Sequence, residues 1–258
     1  MAINKPIYKL KMSIKTILNY SPNFDSKKRN FKKIKCIIFH YTGMKKESEA
    51  INRLTDTQFK VSSHYLIKNN GEIMVLVPDL YIAWHAGVSS WKDFVSLNRN
   101  SIGIEISNPG HNYNYKSFSK KQIQSILKLS KFLIKKYKIY PKNILGHSDI
   151  APNRKKDPGE KFPWQYLAKK KVGLWHSLSN KMLKKNRMIK IDSVSKIVFN
   201  NNLIKIGYLK RNQKELKNSK FINSVIIAFQ RRYRQELIDG KIDKECLIIS
   251  ENLAKKFN

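Results

Sequence analysis

Short apolar runs of strand length alternate with helix signals along the first two-thirds of this chain, and that alternation restricts the fold more than any other feature. Ile34 to His40 (I-K-C-I-I-F-H) reads as a buried strand that ends on a histidine. Val61 to Ile67 and Gly71 to Val77 flank Asn69-Asn70-Gly71, the signature of a hairpin. Ile102 to Ser107 is a further strand, and N-I-L-G before His147 a short one. Between them lie helices. E-S-E-A-I-N-R-L sets Ala50, Ile51 and Leu54 on one face. Ser119 opens S-K-K-Q, a capping box, followed by a stripe through Ile123, Ile126, Leu127, Ser130, Leu133, Ile134 and Tyr137. F-P-W-Q-Y-L-A starts another helix with proline near its first turn. Strands interleaved with helices, one hairpin included, predict an α/β fold: a mixed central β-sheet flanked by helices.

The pattern changes near residue 190 and becomes purely helical. S-V-S-K-I-V-F-N-N-N-L-I-K-I-G-Y ends near Gly207, a C-cap. Phe221, Val225, Phe229 and Tyr233 fall at helical spacing, and Asp243 can cap a last helix carrying Leu247, Ile248 and Leu253. The expected organisation is a lead-in over 1–20, an α/β domain over 21–180, a linker over 181–190 and a small three-helix domain over 191–258.

The formal net charge of +34 invites a polyanion partner. The excess is mainly lysine spread over the whole chain, which favours compositional drift over a nucleic-acid site, so no nucleic-acid partner is expected. No apolar run is long enough to span a membrane. The start, M-A-I-N-K-P-I-Y-K-L-K-M, shows neither a secretory signal nor a lipid-accepting cysteine, which predicts a cytoplasmic protein with the cell envelope as the alternative. Cys36 and Cys246 are far apart and Cys36 opens an apolar run, so a disulfide is not expected. Without any C-x-x-C spacing, a metal site here must rest on histidines and carboxylates.

Such residues gather in Gly146 to Gly159, G-H-S-D-I-A-P-N-R-K-K-D-P-G. The segment is almost devoid of apolar residues and reads as a rigid surface loop that aims polar groups. His147 and Asp157 are candidate zinc ligands, and His40 at a strand end supplies a third, leaving one open position as a catalytic site requires. Asp149 competes with Asp157, but Pro158-Gly159 fixes the backbone behind Asp157, and Asp149 is left to brace the loop or orient a ligand. His64 reads as a satisfied core or outer-sphere histidine. His85, beside Trp84 in A-W-H-A-G, either touches substrate or is structural. His111 and His176 look like ordinary loop and helix residues.

Glu105 is the most unusual carboxylate. In S-I-G-I-E-I-S, period two places Ile102, Ile104 and Ile106 on one face and Gly103, Glu105 and Ser107 on the other. A buried charge there needs compensation, from a lysine or from a metal-bound water. In the second case Glu105 takes a proton from the water and returns it to a leaving amine. Alternation in an extended segment points Lys155 with Asp157 and Lys156 away, so Lys155 is either a solvated lysine or the group facing an oxyanion. Together these parts suit zinc-assisted hydrolysis of an amide or ester.

F-H-Y-T-G, V-S-S-H-Y-L-I, A-W-H-A-G-V-S-S-W, N-R-N-S-I-G-I-E-I-S-N-P-G, G-H-S-D-I-A-P and K-K-D-P-G-E-K-F-P-W stand in the same order as in the zinc-dependent N-acetylmuramoyl-L-alanine amidases of the amidase type 2 family. That family is related to peptidoglycan recognition proteins, and the resemblance covers about residues 20 to 180. It implies one Zn2+ on His40, His147 and Asp157, Glu105 as the catalytic glutamate and Lys155 as the transition-state lysine. Trp84 and His85 become candidate substrate contacts in a groove for peptidoglycan fragments. The bond cut joins the lactyl group of N-acetylmuramic acid to L-alanine. V-I-I-A-F-Q-R-R-Y-R followed by D-G-K-I-D resembles the small helical peptidoglycan-binding module carried by some of these enzymes. Asn153 and Lys156 depart from the family loop, and neither is a proposed ligand. Two other readings compete: a recognition protein that binds without hydrolysis, and a nucleic-acid module around Arg231, Arg232 and Arg234. Stem-peptide preference, the need for 1,6-anhydro ends and the oligomeric state are not legible in the sequence.

Overall fold

The structure is a computed structural model, and it describes residues 14–210 and 216–257. Residues 1–13 of the expected lead-in, with the start of the chain on which the localisation reading rests, lie outside the described residues.

Strands β1 (Ile17–Leu18), β3 (Cys36–Tyr41), β4 (Tyr65–Ile67), β5 (Ile73–Val75), β9 (Ser101–Ile106) and β10 (Ile144–Gly146) form one six-stranded sheet in the order β1-β5-β4-β9-β3-β10. Pairs β2 (Phe24–Asp25) with β6 (Ile82–Ala83) and β7 (Ser90–Trp91) with β8 (Phe94–Val95) are small antiparallel ribbons. Among the described residues only the predicted hairpin, β4 with β5, is antiparallel within the main sheet; β4, β9, β3 and β10 run parallel. The mixed sheet flanked by helices is therefore the architecture observed. Parallel strands put their carboxyl ends on one edge, which is where open α/β sheets bind ligands.

Each face of the sheet has its own cover. Ile37, Phe39, Ile102, Ile104 and Ile106 pack against Ile126, Leu129 and Leu133 of α2 (Lys120–Tyr137). Ser119 caps that helix in a capping box with Gln122, as its sequence predicts. On the opposite face Cys36, Ile38 and Leu145 share a core with Phe199 and Leu203 of α6 (Ser193–Ile206), Val225 and Phe229 of α7 (Ser219–Tyr233), and Ile249 and Leu253 of α8 (Lys244–Lys256). The C-terminal helices thus close the second face of the sheet. Both cysteines are buried and free. No helix among the described residues is long and apolar enough to cross a membrane.

Three sequence expectations change. The stretch 181–190, read as linker, starts in a helix, α5 (Asn180–Asn186): Ser179 caps it and Leu183 anchors it in the core. Its lysines had masked that single apolar anchor. The segment after Gly146 is a surface loop only in its middle, where Asn153, Arg154 and Lys156 are exposed. His147–Ile150 is a short buried helix, α3, because α7 lies over it. The arginines considered for nucleic acid are buried as well: Arg232 pairs with Asp149, Arg234 with Asp239 and Asp243, and Arg231 approaches Glu160 at 3.8 Å. Their charges are consumed inside the protein, which removes that cluster as a polyanion surface.

Candidate metal centre and active-site groove

His40 and Glu105 lie opposite one another in register on neighbouring parallel strands β3 and β9, near their carboxyl ends. His147 follows directly on β10, the strand on the other side of β3. Asp157 returns to the same point at the end of the segment. Gly146 permits that return, since a Cβ there would overlap Pro158. The Asp157-Pro158 peptide is cis.

The result is a compact triangle. His40 Nδ1 and His147 Nδ1 are 2.9 Å apart, and each is 3.0 Å from Asp157 Oδ2. All three residues are buried, and they are the only group of its kind among the described residues placed to hold a metal ion. With both imidazoles neutral, hydrogen bonds alone cannot close such a triangle. His147 Nε2 donates to Ala86 O at 3.2 Å, so a neutral ring keeps a lone pair on Nδ1. That lone pair faces a carboxylate oxygen. Two acceptors at this distance call for a cation between them, and two imidazoles with one carboxylate form a donor set suited to zinc. Separations of roughly 3.3 Å are expected between tetrahedral ligands about 2.0–2.1 Å from zinc, close to those seen.

Three groups at this point are displaced from their ordinary pKa values. Burial, and then the neighbouring His147, push His40 down to about 4, so it is neutral at physiological pH. Burial alone would raise the Asp157 carboxyl, but the two histidines hold it well below the usual carboxylate range. Burial, and then the Asp157 charge, push Glu105 up to about 8, against a smaller pull from Lys155. Glu105 Oε2 has no hydrogen-bond partner. An orphan carboxylate oxygen beside a metal triangle is expensive for folding and useful for proton transfer.

Above these groups lies a groove of about 730 Å³. Trp84, His85, Glu105, Lys155 and Lys156 all line it, together with the three triangle residues. Lys155 is half-buried and acts electrostatically on both His40 and Glu105; Lys156 reaches the groove too, although alternation had pointed it away. Trp84 is tied by its indole N–H to Asp25 Oδ1 at 2.7 Å. The His85 ring stacks edge-on behind His40, with its Nδ1 3.0 Å from His40 Nε2. His64 is fully buried below, its Nδ1 accepting the Gly103 N–H at 3.0 Å. Asp149 does brace the segment, through Gly146 N, Tyr208 and Arg232. His111 is more than an ordinary loop residue: it joins Tyr41 OH to Glu160 at the groove wall. His176 is buried outside any helix.

Sequence reasoning passed over Arg154, which bonds the carbonyls of Ala86 and Val88 and fastens the 86–88 segment to the rim of the site. An arginine kept in so lysine-rich a loop was the available signal. It also passed over basic Lys45 and Arg53 on the far wall, which belong to no motif.

A family model described as N-acetylmuramoyl-L-alanine amidase matches residues 30–160. The chain is 36% identical over 242 residues to the N-acetylmuramoyl-L-alanine amidase AmiD of Escherichia coli, covering 88% of this chain and 84% of that protein. The solved complex of that amidase with anhydro-N-acetylmuramic acid-L-Ala-D-γ-Glu-L-Lys superimposes with a TM-score of 0.74, covering 87% of this chain and 90% of that one. AmpDh3 of Pseudomonas aeruginosa, solved with an anhydromuramic pentapeptide, is 28% identical with a TM-score of 0.74, covering 90% and 94% of the two chains.

Proposed function

Since the chain belongs to the N-acetylmuramoyl-L-alanine amidase family, we propose that it hydrolyses the amide between the lactyl group of N-acetylmuramic acid and L-alanine in muropeptides, with zinc held by His40, His147 and Asp157. The observation that carries this reading is the triangle of donor atoms set beside a half-buried glutamate whose Oε2 has no hydrogen-bond partner. Bound zinc would polarise the scissile carbonyl and lower the pKa of water to roughly 7.

The chain's own residues then do the rest. Glu105 accepts a proton from the attacking water as the C–O bond forms, and delivers it to the amide nitrogen as the C–N bond breaks, so that the amine leaves neutral. Burial and the Asp157 charge raise its pKa in the metal-free site, which favours holding the proton for the leaving nitrogen. The Lys155 ammonium, whose charge already acts on the site, stabilises the oxyanion of the tetrahedral intermediate. Trp84 and His85 form the groove wall against the sugar or peptide. Lys45, Arg53 and Lys156 give the groove a positive potential that fits the carboxylates of a stem peptide. The two relatives solved with anhydromuropeptides make soluble anhydro fragments the first substrate to try, in wall turnover or recycling. The helices over 191–258 would act as a wall-binding module that also completes the core.

Mass spectrometry of products from anhydromuropeptides and from intact sacculi, run side by side in zinc-containing buffer, tests the proposal. Release of L-alanyl peptides from the fragments is expected. Tight binding of fragments without any cleavage would overturn it in favour of a recognition protein.

A further inference from the structure

We infer that the dipeptide His85-Ala86 fixes the proton positions of both ligand histidines, and that His85 and Ser101 are positioning residues for the metal site. The inference rests on the metal reading above and goes beyond it.

The direction of each hydrogen bond follows from one fixed end. A carbonyl only accepts, so the Ser101 hydroxyl donates to Leu97 O at 2.6 Å. Ser101 Oγ therefore receives the proton on His85 Nε2, 3.2 Å away. A neutral His85 then keeps a lone pair on Nδ1. That lone pair receives the proton on His40 Nε2 at 3.0 Å. His40 Nδ1 is left bare, and it is the atom that faces the triangle. One residue along, Ala86 O accepts the proton on His147 Nε2, which bares His147 Nδ1 in the same way. The outer nitrogens of both ligands thus end on adjacent residues of one segment. Such outer contacts set ligand tautomer and basicity in metal sites.

That segment is itself pinned. The amides of His85 and Ala86 both donate to Asn98 Oδ1, at 3.1 and 2.7 Å. Arg154 adds a bond to Ala86 O. Gly103 supplies the slot for the His85 ring, because a Cβ there would overlap it. The N-R-N-S-I-G-I-E motif gains a physical meaning residue by residue. Asn98 holds the segment, Ser101 orients the His85 proton, Gly103 makes room and Glu105 faces the groove. Both His85 nitrogens are engaged, so contact with substrate in the groove falls to its ring carbons.

Long-range 1H–15N spectra of the zinc-loaded full chain test the proton positions directly. His85 should carry its proton on Nε2, and His40 and His147 theirs on Nε2 with Nδ1 on the metal. A proton on His85 Nδ1 would overturn the inference. Ser101→Ala should move His85 toward the Nδ1 form in the same spectrum, and an unchanged spectrum would remove the role given to Ser101. Zinc affinity, measured by competition with a chelator, separates position from bulk. His85→Leu has no acceptor for His40 and should lose roughly 10–100-fold. His85→Asn offers Oδ1 where Nδ1 stood and should bind at least about fivefold more tightly than the leucine variant. A smaller gap overturns the inference while leaving the metal reading intact. A wild-type protein that took up no zinc would overturn both.

Discussion

Asp149 and Asp157 stand eight residues apart and are both buried, yet they hold their charges in opposite ways. Asp149 is surrounded by donors: the Gly146 amide, the Tyr208 hydroxyl and the Arg232 guanidinium. Arg232 is held in turn by Ile144 O and the Trp164 ring. Asp157 faces two imidazole nitrogens, and among the described residues no lysine or arginine is bonded to it. One carboxylate is satisfied by the protein, and the other is satisfied only by something the protein must bind. A buried charge that its own fold leaves short of partners marks the functional end of the segment; a fully paired one marks the structural end.

Swapping the two losses breaks the comparison most forcefully. Asp157→Ala should abolish tight zinc binding and lower kcat/KM by at least about 10³-fold, with the metal-free fold within about 1 kcal/mol of wild type. Asp149→Ala should instead cost about 3–5 kcal/mol in denaturant unfolding, because Arg232 is left buried without its counter-charge. Equal unfolding midpoints for the two variants would erase the distinction.

Much of the catalytic half of this picture is legible in the chain. Period two in Ile102, Ile104 and Ile106 placed Glu105 on the opposite face from the isoleucines, and the capping box at Ser119 set the start of α2. Asp149 was not legible as a buried group. Its partner lies 83 residues away on α7, and a segment with so few apolar residues reads as surface until that helix covers it. The same holds for Arg231, Arg232 and Arg234, which look like a basic patch and are interior ion pairs. Local pattern reports periodicity and caps; it does not report which distant charge arrives to neutralise a polar cluster.

Glu105→Gln gives the next largest effect. It keeps the shape and the zinc but cannot exchange the proton, so kcat should fall by about 10²–10⁴. Loss of zinc along with activity would place Glu105 among the metal-holding groups instead. Lys155→Met should lower kcat by about 10²–10³ with little change in KM. A change confined to KM would make Lys155 a binding residue.

A third buried aspartate sharpens the contrast with the smallest effect. Asp79 accepts from Tyr65 OH, Tyr137 OH and Lys136 Nζ at 2.5–2.7 Å. Burial works against its ionisation, but the Lys136, Tyr137 and Tyr65 hydrogen bonds outweigh it and depress its pKa. A depressed carboxylate stabilises the fold above its unfolded pKa and loses that contribution as pH falls through its folded value. The stability margin of wild type over Asp79→Asn should therefore be constant near neutrality and shrink below the ordinary value of 3.8. Urea unfolding at several pH values measures it, and a margin that grows in acid would contradict the pairing.

The central claim is that the Asp157 end of the segment holds a metal. Anomalous diffraction at the zinc edge, from crystals grown with zinc, tests it most directly. One peak is expected, about 2.0–2.2 Å from His40 Nδ1, His147 Nδ1 and an Asp157 carboxylate oxygen. A zinc-saturated crystal with its peak elsewhere, and hydrogen-bonded side chains at the triangle, would contradict it.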